Sequence, residues 1–252
     1  MAHPKKYSSQ PLMTAADLLN RQIPTHQRAP ASETVLIIMQ RNALEFSQRK
    51  IWGKRSNKAP AKVLLPHKWA NGPSLLGDIG VGGTSVVAHL EYLAAWGVKQ
   101  VVLIGVAGGL LPSISYGDVV VPTRSLRDEG VSIHYLPESR WARPAETLNL
   151  KITQALADIK PKVHSAPVWT TAAPFRETQA EVQDYAAEGM AAVEMETASL
   201  FAAAQSLGIA AAAVLVISDS LAAGVHQMTP NQQIINRNLQ LVCDRLIQEF
   251  KH

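Results

Sequence analysis

Short apolar runs alternate with stretches of helical spacing along most of the chain. The most apolar runs, residues 34–39 (TVLIIM), 100–105 (QVVLIG), 117–122 (GDVVVP) and 212–217, are continuous rather than alternating, which predicts strands covered on both faces. Further strands are expected over residues 75–79, 131–136, 164–170 and 191–194. Helical spacing covers residues 84–96, 144–158, 178–188, 198–206 and 229–250, with Gly97 and Gly208 as stops after two of them. Residues 48–62, rich in Lys, Arg and Pro, read as a loop. Strands alternating with helices predict an α/β fold, a single domain whose mixed, mostly parallel central β-sheet is flanked by helices.

The first residues break this pattern. Residues 1–32 carry Pro4, Pro11, Pro24 and Pro30 among scattered polar positions and read as an N-terminal arm, with a helical turn or two near 15–21; residues 33–252 then form the domain. No apolar signal-peptide core occurs near Met1. Residues 197–218 contain no charged side chain, enough length for a membrane span. Gln205, Ser206 and Gly208 interrupt them, so a helix, a turn and a buried strand account for the stretch better. The expectation is a soluble, cytoplasmic protein with no membrane partner. Cys243, the one cysteine among 252 residues, fits a reducing compartment.

Composition narrows the function classes. With 47% hydrophobic and 17% charged residues, disorder and a disulfide-stapled scaffold are disfavoured. The net charge of +4 is mild, and the eight basic residues between Arg41 and Lys68 lack interleaved aromatic pairs for base stacking, so no nucleic-acid partner is expected. None of the eight histidines forms a metal-ligand pair and no cysteine cluster exists, so no metal is expected.

In open α/β sheets ligands sit at the carboxyl ends of strands. Here those ends read Gly80-Val81-Gly82-Gly83, Gly105 to Gly109, Thr170-Thr171, Glu194-Met195-Glu196 and Ser218-Asp219. Neither glycine loop completes a dinucleotide fingerprint, since Ser85 stands at the third glycine position after Gly80; a phosphate loop ending in Gly-Lys-Ser/Thr and a serine nucleophile elbow are also missing. Plain tight turns and close backbone approach to a ligand remain alternatives for both loops. Glu194 and Glu196 straddle a strand end that enters a helix, where a carboxylate is favoured with or without a catalytic role. Asp219 follows an apolar strand, a place where a desolvated carboxyl can serve as a proton donor or simply cap a turn.

Four stretches together resemble the nucleoside phosphorylases and nucleosidases of the purine-nucleoside/uridine phosphorylase type: residues 80–85, 104–122 (IGVAGGLLPSISYGDVVVP), 168–178 (VWTTAAPFRET), and 193–204 (VEMETASLFAAA) with VISD at 216–219. The resemblance runs from about Thr34 to Phe250 and implies that family's three-layer fold. It implies cleavage of the bond between ribose C1′ and a base, nominally phosphorolysis, in a small-molecule nucleoside and with no cofactor beyond inorganic phosphate as co-substrate. By resemblance Glu196 accepts hydrogen bonds from the 2′ and 3′ hydroxyls and Met195 packs on the sugar. Asp219 is the acid at purine N7 with Ser218 beside it. Ala107 and Gly108 line the base, and Arg176 matches a base-side arginine of uridine-type relatives. A homo-oligomer is implied as well.

The departures point the other way for phosphate. Leu103 and Val106 stand where phosphorylases carry an arginine and a hydroxyl residue. Met39-Gln40-Arg41-Asn42 replaces the early phosphate loop, leaving Arg41 as a substitute phosphate ligand or a surface arginine. Ala172 stands where many relatives have Asp. A dianion buried without cations or donors is costly. Water as the nucleophile, or a nucleoside-binding module that has lost catalysis, are therefore the alternatives. A purine substrate is favoured by Asp219 and opposed by Arg176.

Overall fold

The computed structural model describes residues 3, 5–25, 32–52 and 72–251, side chains at 50–52 excepted. Its first strands are β1 (Thr34–Ile38), β2 (Ser74–Gly77), β3 (Gln100–Gly109), β4 (Val119–Asp128) and β5 (Trp141–Ala142). They are followed by β6 (Val163–Thr171), β7 (Ala192–Glu194), β8 (Ala210–Ser220) and β9 (Gln227–Met228). The helices are α1 (Ala15–Gln22), α2 (Arg41–Trp52), α3 (Gly83–Trp96), α4 (Glu146–Ala155), α5 (Gln179–Ala187), α6 (Thr197–Leu207) and α7 (Gln232–Glu249).

The strands form a nine-stranded mixed sheet in the order β2-β1-β3-β7-β6-β4-β8-β9, with β5 on β4 and β8 also paired to β3. That last pairing closes β3, β7, β6, β4 and β8 into a ring. The long β3–β8 and β4–β6 contacts are parallel, whereas the short junctions β3–β7 and β4–β8 are antiparallel.

Period-two alternation distributes the apolar side chains to two cores. Val35 and Ile37, Val101 and Leu103, and Ala213 and Leu215 face α3 and α6. Leu36 and Ile38, Val102 and Ile104, and Val214 and Val216 face α2, α4 and α7. Both faces are covered, which explains why the runs are continuous in the sequence. Residues 197–218 divide into α6 and β8 with Gly208 between them. No helix among the described residues is long and apolar enough to cross a membrane.

Three expectations are corrected. Residues 48–52 are helical, because α2 continues to Trp52 with Glu45 facing both Arg41 and Arg49 at 3.8 Å; residues 53–62 of the expected loop lie outside the described residues. Residues 131–136 form no strand but a single 3-10 turn at Ser132–His134. Side chains satisfy that backbone instead of a neighbouring strand. Glu129 accepts from the amides of Val131 (2.6 Å) and Ser132 (3.1 Å), and Arg127 donates to the carbonyls of Leu136 and Pro137. Finally, β4 does not stop at Pro122 but runs on to Asp128, with its register on β6 shifting between Pro122 and Ser125. A proline without an amide hydrogen is accommodated at such an irregularity.

Within the first 32 residues, α1 starts at a Thr14–Asp17 capping box and buries Leu19, and the helix packs on α3. Tyr7 donates its phenolic hydrogen to the Leu136 carbonyl at 2.9 Å.

Candidate active site

The carboxyl ends of the parallel strands β1, β3 and β8 open into one cavity of about 610 Å³. Gly105 to Gly108 form its floor at the end of β3, and Met39 and Gln40 follow β1. Glu194, Met195 and Glu196 enter from the β7–α6 junction, and Ser218 and Asp219 from β8. The segment from Pro174 to Gln179 and the turn from Leu221 to His226 close the far side.

Glu194 is the anchor of the β7–α6 junction. Its buried carboxylate accepts from the amides of Glu196 (2.7 Å) and Thr197 (2.8 Å) and from the hydroxyls of Thr197 (2.6 Å) and Thr170. These bonds satisfy the first amides of α6 and fix where Glu196 starts. Burial, then the charge of Glu196, pushes the Glu194 carboxyl up to about 7.

Glu196 comes next along the chain and reaches across to the β2–α3 loop. Its Oε1 accepts from the Gly82 amide at 2.7 Å. Gly82 sits at φ 89°, a backbone conformation in which a side chain would be strained, and that geometry turns its amide toward the carboxylate. Burial raises the Glu196 carboxyl above the usual range, and the amide bonds from Gly82 and Met195 partly offset the rise.

Asp219 lines the same cavity from β8. Its Oδ1 accepts from Ser218 Oγ at 2.6 Å, and its Oδ2 accepts from His226 Nε2 at 3.0 Å. Gly108 lies beside it on β3, paired in register. Glu177 also lines the cavity; burial first, and the neighbouring Asp219 charge second, raise its carboxyl above the ordinary value.

Six of the residues singled out from the sequence, Ala107, Gly108, Met195, Glu196, Ser218 and Asp219, therefore line a single cavity. Two do not. Arg176 is exposed on a 3-10 turn and lines a separate cavity of about 430 Å³ with Asp128, Glu129 and Glu181. Arg41 lies outside the main cavity, paired with Asp78 at 3.2 Å and largely exposed. Leu103, at the position of a phosphate-site arginine in the resemblance, is fully buried in the core against α3 and α6. Val106 does line the cavity.

The sequence reading gave no role to His226, Glu177 or Gln40. His226 follows Asp219 by seven residues through a turn containing Gly224, a spacing that folds the chain back. Gln40 lines the cavity and its Oε1 is buried with no hydrogen-bond partner among the described residues.

A ring-closed mixed sheet with a carboxylate-lined cavity at its strand ends is an α/β architecture with its cavity where such sheets place ligand sites. Residues 62–248 match the family described as the Phosphorylase superfamily, and the chain belongs to that family. The guanosine phosphorylase of Halorubrum lacusprofundi is 30% identical over 145 residues, which cover 58% of this chain and 60% of that protein. The chain thus spans about three-fifths of that relative's length. Among solved structures, the uridine phosphorylase of Vibrio fischeri superposes with a TM-score of 0.69 at 20% identity, covering 89% of this chain and 93% of the other. The AMP nucleosidase of Bacteroides thetaiotaomicron gives a TM-score of 0.65 at 21% identity, covering 93% and 96%. These likenesses show a shared fold.

Proposed function

We propose that the chain cleaves the N-glycosidic bond of a purine nucleoside with water as the attacking group. One observation carries this reading: Glu196 and Asp219, from opposite ends of the α6–β8 unit, line the same cavity. The charged residues lining that cavity suit a neutral nucleoside better than an anion. Among the described residues they are Glu177, Glu194, Glu196 and Asp219, with His226 the one basic side chain. Phosphate, close to doubly charged near neutrality, would be desolvated beside carboxylates without an Arg or Lys partner there. The unused Gln40 amide oxygen is an acceptor suited to a water or hydroxyl donor.

The chemistry follows from these groups. Glu196 accepts hydrogen bonds from the 2′ and 3′ hydroxyls and holds the ribose while positive charge grows at C1′; Met195 packs against the sugar. Asp219 gives a proton to N7 as the C1′–N9 bond breaks and its electron pair passes to the base. Help of that kind contributes ~10²–10⁴-fold. Water then adds to C1′ and releases its own proton, leaving free base and ribose. Ala107 and Gly108 present backbone to the base, and Ser218 orients Asp219. Arg176, facing another cavity, no longer argues for a pyrimidine. Proteins of this fold include one named an AMP nucleosidase and one named a uridine phosphorylase, which is compatible with water as the attacking group. Exposed Val81, Phe175 and Val225 lie along the cavity, an apolar margin that favours a homo-oligomer.

Base release from a panel of purine and pyrimidine nucleosides, measured with and without inorganic phosphate, tests the reading. Phosphate-independent release of purines is expected, with a sharp loss in Asp219→Asn. Strict dependence on phosphate or arsenate would return the chain to phosphorolysis. Binding without any release would make it a nucleoside-binding module.

A further inference from the structure

Asp219 can protonate a leaving base only once unless its own proton is replaced, and the closed side of the cavity offers one route. His226 Nε2 stands 3.0 Å from Asp219 Oδ2, and its side chain is 55% exposed against 19% for Asp219. The ring therefore touches the acid at one edge and solvent at the other. The β8–β9 hairpin holds it there: Asp219 pairs with Met228, Ser220 with Gln227, and the turn closes through the Gly224 amide on the Leu221 carbonyl at 2.8 Å. Ser218 Oγ occupies the other carboxylate oxygen, so Asp219 is gripped from both sides.

We propose that His226 is a positioning residue that orients Asp219 and returns to it the proton given to the base. This inference rests on the nucleoside-cleavage reading above. As C1′–N9 breaks, N7 takes the proton of the Asp219 carboxyl. Asp219 then takes the Nε2 proton of His226 as the other ring nitrogen takes one from solvent, so the imidazole ends neutral, and proton exchange with solvent restores Nε2–H before the next turnover. The charged groups facing the ring are Asp219 from β8 and Glu177 from the segment before α5, with Glu181 further along α5 acting on Glu177.

The test compares guanosine with 7-methylguanosine, whose base is already cationic and leaves without a proton at N7. Three proteins are compared: the unmodified chain, His226→Ala and His226→Gln. In His226→Ala, kcat on guanosine should fall by roughly 10²-fold, the lower end of general-acid help, with KM nearly unchanged and a much smaller loss on 7-methylguanosine. Free imidazole should restore part of the guanosine rate. His226→Gln keeps an N–H toward Asp219 but has no proton to pass on, so it should remain slow. Equal losses on both nucleosides, full activity in His226→Gln, or no loss in His226→Ala while the unmodified protein turns over guanosine would each overturn the role of His226 alone. An unmodified protein that cleaves neither nucleoside would overturn the underlying cleavage reading and this role with it.

Discussion

Gly108 on β3 and Asp219 on β8 are register partners, and the side chain that Gly108 lacks is space the Asp219 carboxylate uses. A Cβ at position 108 would lie 2.8 Å from Asp219 Oδ2 and 2.7 Å from Leu221 Cδ1. Neither neighbour is a free surface group, so an added methyl must displace one of them. Such overpacking costs ~1–3 kcal/mol, and a displaced acid of about 1 Å loses up to roughly 10²-fold in rate. Gly108→Ala should therefore stay folded with a slightly lowered Tm while kcat for base release falls far more than stability does. Paired thermal melts and turnover assays check this; unimpaired turnover would mean the acid meets the base from another direction.

Glu196 Oε1 accepts from the Gly82 amide at 2.7 Å, and in the proposed reading the carboxylate also accepts from the ribose hydroxyls. Hydrogen bonds to a charged group contribute ~1.5–3 kcal/mol. Glu196→Gln should lower kcat/KM on ribonucleosides by roughly 10–10²-fold and should lose much less on 2′-deoxynucleosides, which lack one of the hydroxyls. The ratio of the two substrate classes, measured in both proteins, reads this directly. An unchanged ratio would remove Glu196 from the sugar site.

Arg41 is occupied elsewhere, by Asp78 at 3.2 Å and Glu45 at 3.8 Å, with 71% of its side chain exposed. Pairs this exposed contribute at most about 1 kcal/mol. Arg41→Ala should leave both the rate and any response to phosphate within about twofold of the unmodified protein, and should barely move Tm. A steep loss of phosphate stimulation in this variant would make Arg41 an anion ligand after all.

The legible part of this molecule is the part written in local patterns. Continuous apolar runs announced β1, β3 and β8, because strands covered on both faces need no polar alternation. Glu196 and Asp219 were legible as residues at strand ends, but not the fact that Gly82 holds one and His226 the other. Those contacts link positions 114 and seven residues apart, and only the sheet order brings the first pair together. Residues 131–136 misled because their backbone is satisfied by Glu129 and Arg127 side chains, a solution that leaves no periodicity. Two-residue strands such as β5 and β9 are too short to carry a pattern at all.

Cys243 lies fully buried on α7, and burial pushes its thiol up to about 12. Since the thiolate is the reactive form, the native protein should resist alkylation by iodoacetamide near neutral pH. Labelling should begin only when α7 leaves the sheet, so its onset in denaturant should coincide with loss of the far-UV signal. Rapid labelling of the native protein would show that α7 opens locally.

Glu194 sets the dependence of stability on pH. Its folded carboxyl titrates at about 7 rather than at the ordinary 4.5, so between those values the native state holds a proton that the unfolded chain has released. Stability from this group is therefore full below pH 4.5 and is lost as pH rises through about 7. Glu196, also raised, adds in the same direction. The Tm should decline as pH goes from about 5 to 8. Glu194→Gln removes the titration but sets an NH₂ group against amide or hydroxyl donors, a mismatch costing ~1–3 kcal/mol. It should melt below the unmodified protein at pH 5 and show a flatter profile, so that the two curves approach each other at alkaline pH. Parallel curves in both proteins would place the titrating group elsewhere and leave Glu194 a purely ionised anchor of α6.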